Sequence, residues 1–258
     1  VAEVTVVLRV WLPDRPGALG AVASRIGAVR GDVVAIDVLE RGGGRAVDEL
    51  TVTLPDASLV DLLISEVGQV DGVDVEDIRP LHRTELDRAV AALGAAEALC
   101  MARDPVTLVE TACDQVHRLL DADWAVVMSA VGELVAVSGP AEVSAGWLQA
   151  FIAGAGDQGA VDEIAFCELG RGGWLVVSRA RLPLRSSERE LLARVAAVAS
   201  HLLEGRRSMR AHEPARDSAQ DSAEDSAQDP AQDSARDAAQ DSSRAQFRER
   251  STARSQRS

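Results

Sequence analysis

The sequence predicts an α+β protein made of two modest folded domains and an unstructured tail. Three observations point there. Strand-like alternation and helix-like periodicity succeed one another through the first eighty residues. A second run of amphipathic helices and short apolar strands follows over 84–208. From Glu213 the chain falls into a four-residue repeat with almost no large apolar groups. The 258 residues are 47% apolar, enough for a core in each domain. The domains are read as 1–81 and 84–208, with the tail at 211–258.

Val4, Val6, Leu8 and Val10 alternate with Thr5, Val7, Arg9 and Trp11, the period of a strand with one face on a core. Leu12 to Gly20 forms a proline-bracketed turn, after which Leu19, Val22, Ala23, Ile26 and Val29 recur at helical spacing. Asp14 is expected to cap that helix and Pro16 to occupy its first turn, while Gly17, without a Cβ, lets another molecule approach the backbone. Gly31-Asp32 reads as a turn, 33–40 as a strand, Arg41-Gly42-Gly43-Gly44-Arg45 as a hairpin tip and 46–54 as the partner strand. Ser58 is expected to cap a second helix with Leu59, Leu62, Leu63, Val67 and Val70 on one face. Gly72 ends it, and Val73, Val75 and Ile78 make a last strand. The order βαββαβ implies a ferredoxin-like unit, two helices on one side of a four-stranded antiparallel sheet.

A strand feeding a glycine-bearing turn that opens a helix leaves N–H groups free at a positive dipole end, which suits a carboxylate or a phosphate. A βαββαβ unit whose first turn is Asp14-Arg15-Pro16-Gly17-Ala18-Leu19 resembles the ACT domain, an amino-acid-binding regulatory module. The resemblance covers 3 to about 80. It implies a homodimer with an amino acid held between subunits against this turn. Asp14 would meet the ligand's ammonium, Gly17, Ala18 and Leu19 would give backbone contacts to its carboxylate, and Arg15 belongs to the same turn. Ile36, Asp37 and Val38 would lie near the partner's pocket.

In the second domain, Thr84 is expected to open a helix with Leu86, Val90, Leu93, Ala96, Leu99 and Cys100 on one side. Asp104-Pro105 opens another with Val106, Leu108, Val109, Ala112, Val116 and Leu119 inward. Strands are read at 124–129, 134–138, 164–168 and 174–179, with a short apolar helix around 147–152. Ser187 and Glu190 form a capping box for a long last helix. The Asp104-Pro105 helix running into Leu120-Asp121-Ala122-Asp123-Trp124, and the Leu184-Arg185-Ser186-Ser187 entry to the last helix, resemble a GAF domain. That implies a small-molecule-sensing or dimerising module, with the structural role favoured because no ligand motif accompanies it.

The net charge of −14 argues against nucleic acid, and the absence of Tyr, with only four Trp and three Phe, removes a base-stacking platform. The tail holds 10 acidic and 7 basic residues, so the first 210 keep 31 acidic against 20 basic and are themselves acidic. The tail repeat, from Asp217-Ser218-Ala219-Gln220 onward, reads as disordered. No run reaches the ~20 apolar residues of a membrane span and no secretion signal is seen, so a cytoplasmic protein without membrane contact is expected. Cys100, Cys113 and Cys167 read as buried free thiols, with neither a disulfide framework nor a metal site. His117 and Cys113 face the same way one turn apart but lack an orienting carboxylate; His82 and His201 have no partner at ligand spacing. Asp121 and Asp123 read as a turn. No catalytic residues and no cofactor are expected. The reading is a non-enzymatic regulator that binds an amino acid as a homodimer, with an enzyme as a further partner. The alternative is a regulatory or scaffold subunit of a biosynthetic or signalling enzyme, binding no ligand of its own.

Overall fold

The computed structural model describes residues 3–81, 87–155, 160–161, 163–180 and 182–212. The first domain runs β1 (Val4–Pro13), α1 (Ala18–Ala28), β2 (Asp32–Gly42), β3 (Arg45–Leu54), α2 (Val60–Val67) and β4 (Asp74–Pro80). Its sheet has the order β2-β3-β1-β4 with every neighbour antiparallel, the ferredoxin-like arrangement. Val6, Leu8, Val10 and Leu12 of β1 and Leu50, Val52 and Leu54 of β3 pack under Val22 and Ile26 of α1 and Leu63 and Val67 of α2. These side chains are removed from water by the helix layer, which is the main term holding the layer down.

The helix starts differ from expectation. Gly17, at φ 89°, is the N-cap of α1 and offers no side chain to it, so Asp14 is not the cap and Pro16 precedes the helix. The backbone N–H of Asp14 goes instead to the carbonyl of Gly44 at 3.0 Å, tying the turn to the β2–β3 hairpin tip. Asp56, not Ser58, caps the next segment: its extended backbone lets the carboxylate accept the Ser58 N–H at 2.7 Å, ahead of one 3₁₀ turn at Ala57–Leu59. Leu62 is exposed rather than inward.

The second domain runs α3 (Arg88–Met101), α4 (Pro105–Leu119), β5 (Trp124–Met128), β6 (Leu134–Ser138), α5 (Ala145–Ala155), β7 (Ala160–Val161), β8 (Ile164–Leu169), β9 (Gly173–Ser178) and α6 (Ser186–His212). Its antiparallel sheet, β6-β5-β9-β8-β7, gains the two-residue β7 that the sequence did not suggest. One face carries Ala125, Val127, Leu175 and Val177 against Leu99, Leu108, Val116, Leu192 and Ala199 of α3, α4 and α6. The other carries Val126, Phe166 and Val176 against Leu148 and Ile152 of α5. This is a GAF-like α/β sandwich.

Thr84 and Leu86 lie outside the described residues; Asp87 caps α3, accepting from the N–H groups of Ala89 and Val90. That helix reaches the core only through small residues and Leu99, so Val90, Leu93 and Cys100 point to solvent, Leu93 being 71% exposed. Val106, in the first turn of α4, is likewise exposed. At α6 the expected Ser187/Glu190 box is not formed. Glu188 reaches back to the Arg185 N–H at 2.8 Å, while Glu190 pairs with Arg194 along the helix. Residues 3–206 fall within one compact unit, and the Asp-Ser-Ala-Gln repeat, from 213 onward, lies outside the described residues.

The first sheet has a second face, away from its helices. It is buried: Val7, Arg9, Val47, Glu49 and Thr51 are nearly inaccessible, with the Pro183–Glu188 segment against them.

Candidate functional site

The alternation of β1 and β3 sorts the site chemistry onto two faces. Across β1 and β3, Val10 pairs with Asp48 and Arg9 with Glu49; across β2 and β3, Val38 pairs with Asp48, Ile36 with Leu50, Asp37 with Glu49 and Arg41 with Ala46. Residues paired across a ladder share a face. Ile36, Val38, Arg41 and Asp48 are therefore on the helix side with the turn, and Asp37, Glu49 and Arg9 on the opposite side.

On the helix side, the turn presents Asp14, Arg15 and Gly17 to solvent, with Ala18 buried and Leu19 partly so. Among the described residues no hydrogen bond takes the N–H groups of Gly17, Leu19 or Gly20, whereas the Ala18 N–H goes to the Arg15 carbonyl at 3.3 Å. Free donors thus stand where the helix dipole is positive. A Cβ on Gly17 would touch nothing within 4 Å, so the approach to that backbone is open. Arg15 makes only a solvent-exposed pair with Asp71 at 3.7 Å. Edge strand β2 exposes Val34, Ile36 and Val38. Asp48, 3% exposed, is the charged member of the buried row Ala46, Asp48, Leu50, Val52, Leu54. Its Oδ1 has no hydrogen-bond partner. Burial pushes its carboxyl above the ordinary range; Arg41 partly offsets this and Asp14 adds to it. The sequence reading passed over Asp48, although one acid in an otherwise apolar strand face was there to be noticed.

Of the expected site residues, the structure brings Asp14, Gly17, Ala18, Leu19, Ile36 and Val38 to one side of the sheet. Asp37 is on the other, where its carboxylate faces Arg88 at 3.4 Å.

That other side is a buried charge cluster joining the two domains. Glu188 fills its four lone-pair positions with Arg9 (3.0 Å), Arg179 twice (2.9 Å each) and the Arg185 N–H. Glu49 accepts from Arg9 (2.9 Å), Arg79 (2.5 Å) and Arg88 (2.6 Å). Burial would raise both carboxyls, but the facing arginines outweigh it and hold both below the ordinary glutamate value. Arg79 also reaches Asp121 at 2.7 Å and Asp77 at 2.9 Å. At one end of the sheet the guanidinium groups of Arg45 and Arg185 lie over the Trp11 ring, 5.2 and 4.8 Å from its centre. Arg185 and the Trp11 indole both bond Glu76. None of this network was read from the sequence, because its members are scattered from Arg9 to Glu188.

Among the described residues, His117, Cys113, His201 and Asp123 each have a protein partner. His117 Nδ1 bonds Ser138 Oγ at 2.9 Å, and Cys113 donates to the Ala125 carbonyl at 3.2 Å. Burial pushes the thiols of Cys113 and Cys167 up to about 12. Cys100 is exposed, which corrects the expectation of three buried thiols. His201 bonds the Ala197 carbonyl within α6. Asp123 accepts the Ala180 N–H at 2.6 Å. Among the described residues no three His, Cys, Asp or Glu side chains converge as metal ligands, and no helix is long and apolar enough to cross a membrane. Trp147 stacks on Phe151 along α5, and Phe151, Phe166 and Trp174 follow edge to face, beside a groove of about 230 Å³ lined by Met128 and Gln149.

No protein-family model matches the chain, and no curated protein matches its sequence. Solved structures resemble parts of it. The ACT domain from GTP pyrophosphokinase of Chlorobium tepidum is similar over 31% of this chain and 100% of its own, at 15% identity and a TM-score of 0.26. Myxococcus xanthus MglB is similar over 41% of this chain and 94% of its own, at 17% identity and a TM-score of 0.33. The Stigmatella aurantiaca phytochrome photosensory core module matches over 78% of this chain and 57% of its own, at 13% identity and a TM-score of 0.36. With each TM-score below 0.5, none of these likenesses assigns the chain a role.

Proposed function

We propose that this chain is a non-enzymatic regulatory protein of the cytoplasm whose first domain binds an amino acid at the turn after β1, between two copies of the chain. The observation that carries the reading is the left-handed Gly17 at the mouth of α1, with the N–H groups of Gly17, Leu19 and Gly20 unused and the Asp14 carboxylate exposed beside them. An ammonium and a carboxylate two bonds apart need this pair, an anion next to a cluster of donors. The open edge of β2, with Val34, Ile36 and Val38 bare, supports a second copy as the other wall of the site. Differential scanning fluorimetry against the twenty amino acids, with Asp14→Ala as control, tests the ligand. The reading fails if none raises the melting temperature of the wild type. Light scattering showing a strict monomer at tens of micromolar overturns the dimer.

The scaffold alternative is favoured by one feature, the bare Val90, Leu93 and Met101 on α3. A stoichiometric enzyme retained from extract by the wild type, and lost on Leu93→Glu, supports it; retention unaffected by Leu93→Glu removes it.

A further inference from the structure

Asp48 is the unexplained charge of the first domain. It lies among Val10, Val38, Ala46 and Leu50 on the helix side, is 3% exposed, and keeps Oδ1 without a partner. The Arg41 guanidinium, on the same face, makes no hydrogen bond to it, and Asp14 repels it. A buried carboxylate in such a place costs stability unless a donor reaches it. Neither Arg9 nor any other arginine of the buried cluster can serve, since they occupy the opposite face.

We infer that Asp48 is the second carboxylate of the turn site, and that the ligand brings a primary ammonium on an aliphatic chain, clamped between Asp14 and Asp48. The inference rests on the amino-acid reading above for the ligand's other end. A tetrahedral ammonium has three donors and satisfies two carboxylates at once, whereas the described residues hold no third acidic or imidazole ligand that would complete a metal site here. The neighbours set the rest of the molecule. Val38 is paired directly with Asp48 and Ile36 is two residues before it, both bare, so the carbon chain beside the ammonium meets apolar surface. A side chain carrying its own charge would find no partner among Ile36 and Val38.

Three probes separate the parts of the molecule: L-leucine, isopentylamine (the same skeleton without the carboxylate) and 4-methylpentanoate (without the ammonium). Calorimetric titration of the full chain is expected to show leucine binding most tightly, isopentylamine more weakly and 4-methylpentanoate not at all. Asp48→Asn and the smaller Asp48→Ser should each weaken leucine and isopentylamine at least tenfold. Equal affinities in wild type and both variants overturn the role of Asp48 while leaving amino-acid binding intact. Binding of 4-methylpentanoate as tight as leucine overturns the ammonium clamp. Binding of isopentylamine but of no amino acid, lost in both variants, upholds the clamp and removes the amino-acid reading. Silence from leucine and isopentylamine alike in the wild type overturns the clamp.

Discussion

Asp48 and Glu49 are consecutive on β3 and look out of opposite faces of one sheet, the first with an unpartnered oxygen and the second gripped by three arginines. Each is paired across the ladder with a neighbour of its own kind of environment, Val10 for Asp48 and Arg9 for Glu49. One peptide unit therefore separates the helix side of the first sheet from the cluster that joins the first domain to the second.

Glu188→Ala should be severely destabilising. It leaves Arg9, fully buried, and Arg179 facing each other without their shared anion. Breaking a buried pair by removing one partner costs about 3–5 kcal/mol. Urea denaturation of the variant checks this, and a loss under 1 kcal/mol would show that the cluster contributes little.

The same cluster sets an acid limit. The folded-state pKa values of Glu49 and Glu188 are depressed, so their stabilisation is present above the ordinary glutamate value of 4.5 and is lost as pH falls below it towards the lower folded values. Melting temperature should drop steeply below that pH. In Glu188→Gln, already less stable near neutrality, the drop should be shallower; an unchanged slope would sink the assignment.

Asp48 has the opposite sign. Its folded pKa is raised, so its stabilisation is present below the ordinary aspartate value of 3.8 and is lost as pH rises through the folded value. Asp48→Asn should then raise the stability of the ligand-free protein near neutral pH, by about 1 kcal/mol, while weakening ligand. A variant less stable than wild type at pH 7 would contradict this.

Two glycines at positive φ separate strain from collision. Gly17→Ala meets nothing within 4 Å and should cost about 1 kcal/mol from backbone conformation alone. Gly139→Ala would place a Cβ 2.4 Å from the Asp123 carbonyl and 3.0 Å from His117 Nε2, and should cost roughly 3 kcal/mol or more. Chemical denaturation of the pair gives the order, and equal losses would refute the contact argument.

Thiol titration offers a direct check of the fold. Cys100 should react at once with a disulfide reagent at pH 8, while Cys113, buried, and Cys167, half-buried, both pushed up to about 12, wait for denaturant. Rapid reaction of more than one thiol in the native protein would mean the second core opens.

Much of the fold was legible because local patterning reports burial against the chain's own neighbours. The alternation in Val4 to Val10, the helical spacing of Leu19 to Val29, the glycine tip at 42–44 and the Asp104-Pro105 cap all state their element directly. Capping was less legible where several acceptors compete over one turn: Asp14 yielded to Gly17, Ser58 to Asp56, and the Ser187/Glu190 box to Glu188 reaching back to Arg185. Inward and outward faces also misled at Val90, Leu93 and Val106, since helical spacing shows that a stripe exists but not whether anything covers it.

By itself, then, the sequence determined the α+β class, the βαββαβ order and the turn at Asp14 to Leu19, all consequences of contacts or conformations a few residues apart. Only the tertiary structure decided that Arg9, Glu49, Arg79, Arg88, Arg179 and Glu188 meet in one buried cluster, and that Asp48 stays unpaired on the other side of the same strand. Charge pairing has no periodicity along a chain. Which arginine meets which carboxylate across 179 residues depends on how the first sheet meets the chain segment that enters α6, and that is a property of the packed molecule.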